Sequence, residues 1–185
     1  MSKVSLAGNA SGTGIFTIAS PNSNTDRTLT LPDQTGTLLS SSAQGIPKTA
    51  LPTGSVLQVV SVASNTQVST TSSTYVSTGF SASITPTSST SKILVMYGNG
   101  GAERLNNNGA NAYIQIWRGG SSIFTVTNSG MNLTYSSLGP SVQYLDSPAT
   151  TSSTTYTIYY KTDSNTFYLS TNTSGATLTL MEIAA

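Results

Sequence analysis

Apolar and polar residues alternate in short segments along most of this 185-residue chain. Phe80, Ala82 and Ile84, for example, are separated by serines, and this period of two residues is typical of a half-buried β-strand. No segment shows a sustained apolar period of 3.6 residues, and the only helix candidate is a turn around residues 102–105. The predicted strands cover residues 56–62, 80–85, 92–97, 113–118, 123–127, 142–145, 156–161, 167–170 and 176–183.

Three of these segments carry more specific predictions. Gly119 and Gly120 lie between two strand patterns and predict a hairpin, because glycine supplies the positive φ of a tight turn. The continuous apolar run 92–97 is typical of a strand that is buried on both faces. Residues 163–165, Asp-Ser-Asn, predict a turn between another pair of strands. Many short strands with regular turns predict an all-β fold, a β-sandwich or jelly roll.

The first 54 residues differ from the rest of the chain. They contain two short apolar pieces, 15–18 and 28–31, and a Ser/Pro/Gly-containing linker near 40–54. We therefore predict an extended N-terminal β segment over 1–54 and a β-sandwich head over 55–185. Because so few apolar residues cannot bury a core in one copy, we expect the segment to order against neighbouring copies or a larger assembly.

Composition excludes several functional classes. Histidine and cysteine are absent, so His-based catalysis, thiol chemistry, disulfides and the common zinc sites cannot occur. Seven dispersed Lys and Arg residues give no basic patch for nucleic acid. No apolar run approaches the roughly 18 residues of a membrane span, and the N-terminus lacks the apolar core of a signal peptide. We expect synthesis in the cytoplasm, no membrane insertion and no nucleic-acid partner.

The six acidic residues form no pattern expected of a catalytic pair or a calcium loop. Glu182 alternates with Met181 and Ile183, so it points to the opposite face of its strand. We interpret the whole set as turn and surface residues and predict no catalytic residue, no cofactor and no metal. The set comprises Asp26, Asp33, Glu103, Asp146, Asp163 and Glu182.

The loop over residues 99–111 is the strongest candidate for a binding site. It is the longest polar, glycine-rich interruption among the predicted strands, and long loops on a rigid β scaffold often carry binding. Side-chain amides offer both donors and acceptors to a hydroxyl-rich ligand such as a glycan. The candidate ligand-binding residues are Arg104, Asn106, Asn107 and Asn108; the alternative is a loop that merely connects two strands.

Aromatic residues offer a second possibility for sugar contact. They could stack on sugar rings, or they could fill the core or a subunit interface. The residues concerned are Trp117, Tyr156, Tyr159, Tyr160 and Tyr168.

Several stretches of the chain resemble virion fibre proteins of tailed bacteriophages, particularly marine and cyanobacterial ones. Residues 8–18 and 24–38 resemble a segment near the start of such fibres. The opening and closing strands of their C-terminal heads are similar to residues 73–76, 84–86, 91–95, 146–156 and 178–183.

The resemblance implies a homotrimeric virion component without catalytic residues. Residues 1–54 would dock onto other virion proteins of the tail or capsid, and the head would face outward and contact a host-surface glycan. This chain lacks the extended shaft of long tail fibres, so a capsid-decorating or cement-type head-fibre trimer is the first alternative. A small glycan depolymerase is the second.

Overall fold

A computed structural model describes residues 11–15, 17, 22–26, 28, 48, 51–104, 111–128, 139–170 and 175–185. Apart from one isolated residue, all regular secondary structure in this part of the chain is β-strand. All nine predicted strands are confirmed, and two short strands, β2 and β5, are added. The strands are β1 (Val56–Ser64), β2 (Val68–Thr70), β3 (Val76–Ile84), β4 (Lys92–Asn99), β5 (Ala102–Arg104), β6 (Ala112–Arg118), β7 (Ser121–Asn128), β8 (Ser141–Asp146), β9 (Thr154–Thr162), β10 (Phe167–Leu169) and β11 (Ala176–Ile183).

The chain divides into two compact units, residues 1–39 and 40–185. In the first unit none of the described residues lies in a strand, and Ile15 is 93% exposed. Most residues of the apolar pieces 15–18 and 28–31 lie outside the described residues, so the extended N-terminal β segment and the boundary between 54 and 55 stay predictions.

The second unit contains two four-stranded antiparallel sheets, A and C, and one three-stranded antiparallel sheet, B, with the strand order β2-β10-β5. Sheet A has the strand order β1-β11-β4-β8, and sheet C has the order β3-β9-β6-β7. Their inner faces share one apolar core, which is the arrangement of a β-sandwich. Sheet A contributes Ile93, Val95, Tyr97, Leu178 and Leu180, and sheet C contributes Ile114, Ile116, Tyr156 and Ile158.

The strand registers define two ends of the sandwich. At the proximal end the chain enters β1 at Val56 and leaves β11 at Ile183, and these two residues are register partners. At the distal end β4 finishes at Asn99 and β6 begins at Ala112. The three-stranded sheet β2-β10-β5 is formed by the chain that follows β1, β9 and β4 at the distal end. The two ends therefore present different segments of the chain.

The β6–β7 hairpin confirms its prediction, since Gly119 and Gly120 have φ of 55° and 94°. Residues 163–165 do turn the chain, but β9 and β10 belong to different sheets and are not a hydrogen-bonded pair. The one helix candidate, at 102–105, is not helical over its described residues, because Ala102–Arg104 is strand β5, paired with β10. Tertiary pairing with β10 supplies hydrogen bonds that the local sequence does not reveal.

Strand β4 also differs from its prediction. Buried residues alternate with exposed or half-buried ones along Lys92–Asn99, so the strand is not buried on both faces. Leu94 and Met96 point to the outer face of sheet A, where they keep part of their surface exposed. Only one face of the apolar run therefore packs into the core, and its other face is available for a partner.

Candidate functional surfaces

A buried ionic cluster joins the two sheets near the proximal end. Arg118 at the end of β6 donates from Nη1 to both carboxylate oxygens of Asp146 at 2.7 Å. Tyr156 of β9 donates its hydroxyl to Asp146 Oδ2, also at 2.7 Å. Burial, together with the hydrogen bond to Asp146, raises the pKa of Tyr156. Because Asp146 is on sheet A and both donors are on sheet C, the cluster ties the sheets together.

A second buried carboxylate, Glu182, also lies near the proximal end. Its Oε1 accepts from the Thr87 amide at 2.6 Å and the Thr87 hydroxyl at 2.7 Å, and its Oε2 accepts from Gln58. Burial alone would raise the pKa of Glu182, but the hydrogen bonds outweigh it, and the pKa is lowered. The carboxylate therefore holds the β3–β4 loop against β1 and β11.

The interpretation of the acidic residues as turn and surface positions is wrong for two of them. Glu182 does point opposite to Met181 and Ile183, but its side of the strand is the inner one, and it is 0% exposed. Asp146 is 5% exposed. The interpretation is confirmed for Asp163, which is exposed in the bend after β9, whereas Asp33 lies outside the described residues.

The described residues contain no group of three or more acidic residues that could hold a metal ion. Among these same residues, no helix is long and apolar enough to cross a membrane.

The 99–111 loop begins and ends at the distal end of the sandwich. Asn106, Asn107 and Asn108 lie outside the described residues, and the Arg104 backbone pairs with Phe167 in the small sheet. The loop is shorter than the sequence suggests, because its first part is strand β5.

The amides at the two ends of this loop have structural partners. Asn99 Oδ1 accepts from the amide and hydroxyl of Ser170, and Asn99 Nδ2 donates to the Gly101 carbonyl. Asn111 Nδ2 lies 3.3 Å from both Tyr113 Oη and Asp163 Oδ2. These contacts anchor the loop ends, and they leave the centre of the loop as the candidate for ligand contact.

The outer face of sheet A carries an apolar row across all four strands. Val59, Met181, Leu94 and Leu145 are successive register partners on β1, β11, β4 and β8. Val59 is 52% exposed and Leu145 is 47% exposed. We call these four residues the apolar row. Sequence analysis missed them, because period-two alternation identifies the two faces of each strand but not which residues align across strands.

The outer face of sheet C is aromatic and polar. The Trp117 and Tyr159 rings are stacked, with centroids 4.1 Å apart and an interplanar angle of 15°. Farther toward the distal end, Lys161 Nζ lies 4.3 Å from the Tyr113 ring centroid and 5.3 Å from that of Tyr75. The two outer faces of the sandwich therefore differ in chemistry.

The aromatic residues singled out in the sequence separate into two groups. Tyr156 and Tyr160 are buried in the core, at 0% and 4% exposure. Trp117 and Tyr159 are half-buried on the outer face of sheet C, and Tyr168 is half-buried in β10. Only the second group is placed where a ligand could reach it.

A scan against known protein families finds no match for this chain, and a search of the curated proteins finds none either.

Proposed function

We propose that this protein is a structural virion component, a short homotrimeric fibre of a tailed bacteriophage. In this proposal residues 1–54 bind other virion proteins of the tail or capsid, and the head contacts a host-surface glycan. The protein acts by binding and carries out no catalysis. The resemblance of residues 8–18, 24–38 and the head strands to phage fibres supports the proposal.

The strand order supports a jelly-roll head. Following the chain, β1, β4, β8 and β11 belong to sheet A, while β3, β6, β7 and β9 belong to sheet C. Eight strands wound between two sheets in this way fit the double Greek key of a jelly roll, an architecture shared by viral capsid and lectin domains. This fold is compatible with both assembly and glycan contact, but fold alone does not choose between functions.

The main support for the proposal is that the chain enters the sandwich at one end and the candidate loop starts at the other. The 51–55 segment enters at the proximal end, where Gly54 donates its amide to the Ala184 carbonyl at 2.8 Å. The candidate loop starts from Asn99 at the distal end. A chain anchored through the residues before 55 would therefore present the 99–111 loop on the side away from its attachment. This is the arrangement that a fibre head requires.

The apolar row supports the trimer. Exposed apolar patches on a folded unit mark sites of association, and these four residues form a continuous band without a charged side chain. Packing against a neighbouring copy would remove Val59 and Leu145 from water. In a closed ring of three copies every apolar row would be covered in the same way.

We expect light scattering to give three times the 19.1 kDa mass of one chain. The double variant Val59→Asp, Leu145→Asp should dissociate, because it would bury charges in the interface without partners. Ser81→Asp, an exposed position on sheet C, serves as the control and should remain trimeric. A wild-type mass of one chain at micromolar concentration would contradict the trimer.

Host contact through the 99–111 loop is tested by changing Arg104, Asn106, Asn107 and Asn108 together to alanine. We expect adsorption to host cells to fall while the melting temperature stays almost unchanged. Each hydrogen bond to a neutral sugar contributes only about 0.5–1.5 kcal/mol net. Three copies would raise the apparent affinity by about 10²–10⁴-fold through effective concentration.

Two outcomes would contradict this part of the proposal. Unchanged adsorption with a correctly folded variant would show that the loop is a spacer. Release of reducing ends from host polysaccharide by the purified protein would show an enzyme instead of a binding protein. Location of the protein in the intact virion would decide between tail and capsid attachment.

A further inference from the structure

Two adjacent rows on the outer face of sheet C consist of neutral side chains. The register aligns Thr125, Gln115, Tyr159 and Ser77 in one row across β7, β6, β9 and β3. The adjacent row, from the same four strands, comprises Ser122, Trp117, Thr157 and Ser81. In the first row Tyr159 therefore lies between the Gln115 amide and the Ser77 hydroxyl, and in the second row Trp117 lies between the hydroxyls of Ser122 and Thr157.

Side-chain hydrogen bonds fix the centre of these two rows. Trp117 Nε1 donates to Gln115 Oε1 at 2.7 Å, and Gln115 Nε2 donates to Thr125 Oγ1 at 2.8 Å. The Trp117 and Tyr159 rings stack against each other at 4.1 Å. We call Trp117, Gln115, Tyr159 and Thr125 the sheet C platform. Because its rings are held by neighbours, little side-chain freedom remains to be lost when a ligand binds.

The chemistry of the platform matches a sugar. A pyranose has an apolar C–H face and a rim of hydroxyl groups, so it needs an aromatic surface together with donors and acceptors. The indole and phenol rings supply the first, and the amide and hydroxyl groups supply the second. A side-chain hydroxyl can both donate and accept, which suits the hydroxyls of a sugar.

The charge distribution selects a neutral ligand. None of the four platform residues carries a charge at neutral pH. A cation on this face, Lys161, lies against the rings of Tyr113 and Tyr75. Asp163 Oδ2 accepts from Tyr113 Oη at 2.9 Å and so places a negative charge beside the same cluster. An anionic ligand would therefore find no unshared positive charge on the platform.

We propose that the sheet C platform binds neutral carbohydrate, which stacks on a ring face of the Trp117–Tyr159 pair that the partner ring does not cover, with Gln115 and Thr125 as polar contacts. This inference rests on the proposed function, and it names a glycan site on a sheet face in addition to the 99–111 loop. A sheet face holds its side chains more firmly than a loop does, because both neighbouring strands are hydrogen bonded.

The test uses the single tryptophan of the chain as its reporter. Full-length protein is titrated with maltohexaose, cellohexaose and mannohexaose, and Trp117 emission is recorded. We expect at least one hexaose to change the emission with a saturable dependence on concentration. If none of the three does so, the proposal is overturned.

Variants then locate the site. Tyr159→Ala and Gln115→Ala keep the reporter and should weaken binding about tenfold, since 1.4 kcal/mol corresponds to a factor of ten. Gln143→Ala, exposed on sheet A, is the matched control for Gln115→Ala and should bind like wild type. Melting temperatures check that each variant folds. Trp117→Ala, followed by calorimetry, should lose binding to the same or greater extent.

The outcomes separate this inference from the proposed function. Hexaose binding that Tyr159→Ala and Gln115→Ala leave unchanged, but that the four-residue loop variant abolishes, would overturn the platform and support the loop. Hexaose binding with the expected loss in both platform variants supports the inference, even if the purified protein fails to block phage adsorption. Failure to block phage adsorption would contradict the proposed host contact, but it would not contradict the sugar site on sheet C.

Discussion

Replacing Asp146 by alanine is expected to destabilise the head by about 3–5 kcal/mol, the range for breaking a buried ion pair. The variant leaves the hydroxyl of Tyr156, which is fully buried, without its acceptor, and it leaves Arg118 without its counter-ion. The Arg118 side chain is 32% exposed and can recover some hydration, so the lower part of the range is expected. Chemical denaturation measures the free energy of unfolding directly.

Asp163→Ala is the matched control for Asp146→Ala. Asp163 also accepts a tyrosine hydroxyl, from Tyr113, but this pair is exposed and water can replace the lost partner. We expect its effect to be about 1 kcal/mol or less. Equal losses in the two variants would contradict the assignment of the Asp146 cluster as the tie between the sheets. Tyr156→Phe keeps the ion pair between Arg118 and Asp146. Its loss of unfolding free energy should lie between the losses of Asp146→Ala and Asp163→Ala.

Replacing Glu182 by glutamine is expected to lower the free energy of unfolding at pH 7 by about 1–3 kcal/mol. The new amide can still accept from Thr87, but its NH₂ group faces the Gln58 donor, so one buried hydrogen bond is lost. The variant should also respond less to acid. This second effect follows from the lowered pKa of the wild-type carboxyl group.

The sign of the pH effect is determined by the direction of that shift. The folded-state pKa of Glu182 is below the usual value of 4.5, so the unfolded chain binds the proton first as pH falls. The stabilisation is therefore complete above about pH 4.5, and it is lost as pH falls through the folded pKa. One proton contributes at most about 1.4 kcal/mol per pH unit. Urea denaturation of wild type and Glu182→Gln between pH 7 and pH 3 measures the difference.

The Thr87 variants provide an internal check on Glu182. Thr87→Val removes the hydroxyl donor, so its unfolding free energy should depend less on pH than that of wild type, as in Glu182→Gln but to a smaller extent. Thr87→Ser retains the donor and should resemble wild type. Identical slopes for wild type and Glu182→Gln below pH 4.5 would show that the hydrogen bonds do not lower the pKa as described.

A strand could be predicted from the sequence where its own residues carry a recognisable pattern. Nine strands were identified from local patterns, either period-two alternation or a short apolar run between turn residues. The three-residue strands β2 and β5 were missed, since they are held by pairing to β10 and not by a pattern of their own. The hairpin at Gly119 was identified because a tight turn imposes a local requirement on φ.

The candidate surfaces were predicted less well than the strands. The 99–111 loop was located from its length and composition, but the buried role of Asn99 depends on Ser170, far away in the chain. The apolar row depends on the register of four strands, and the sheet C platform depends on the register of three. A shift of one residue in any strand would move its residues to the other face.

The sequence by itself determined that this protein is all-β, and that histidine and cysteine chemistry is absent, because strand periodicity and residue type are local properties. Only the tertiary structure decided that Glu182 and Asp146 are buried, although both were interpreted as surface residues. For an isolated acidic residue in a strand, the sequence shows only that its side chain points to the opposite face from the side chains of its two neighbours. Whether that side faces water or a core that supplies hydrogen bonds depends on which strands and loops pack over it.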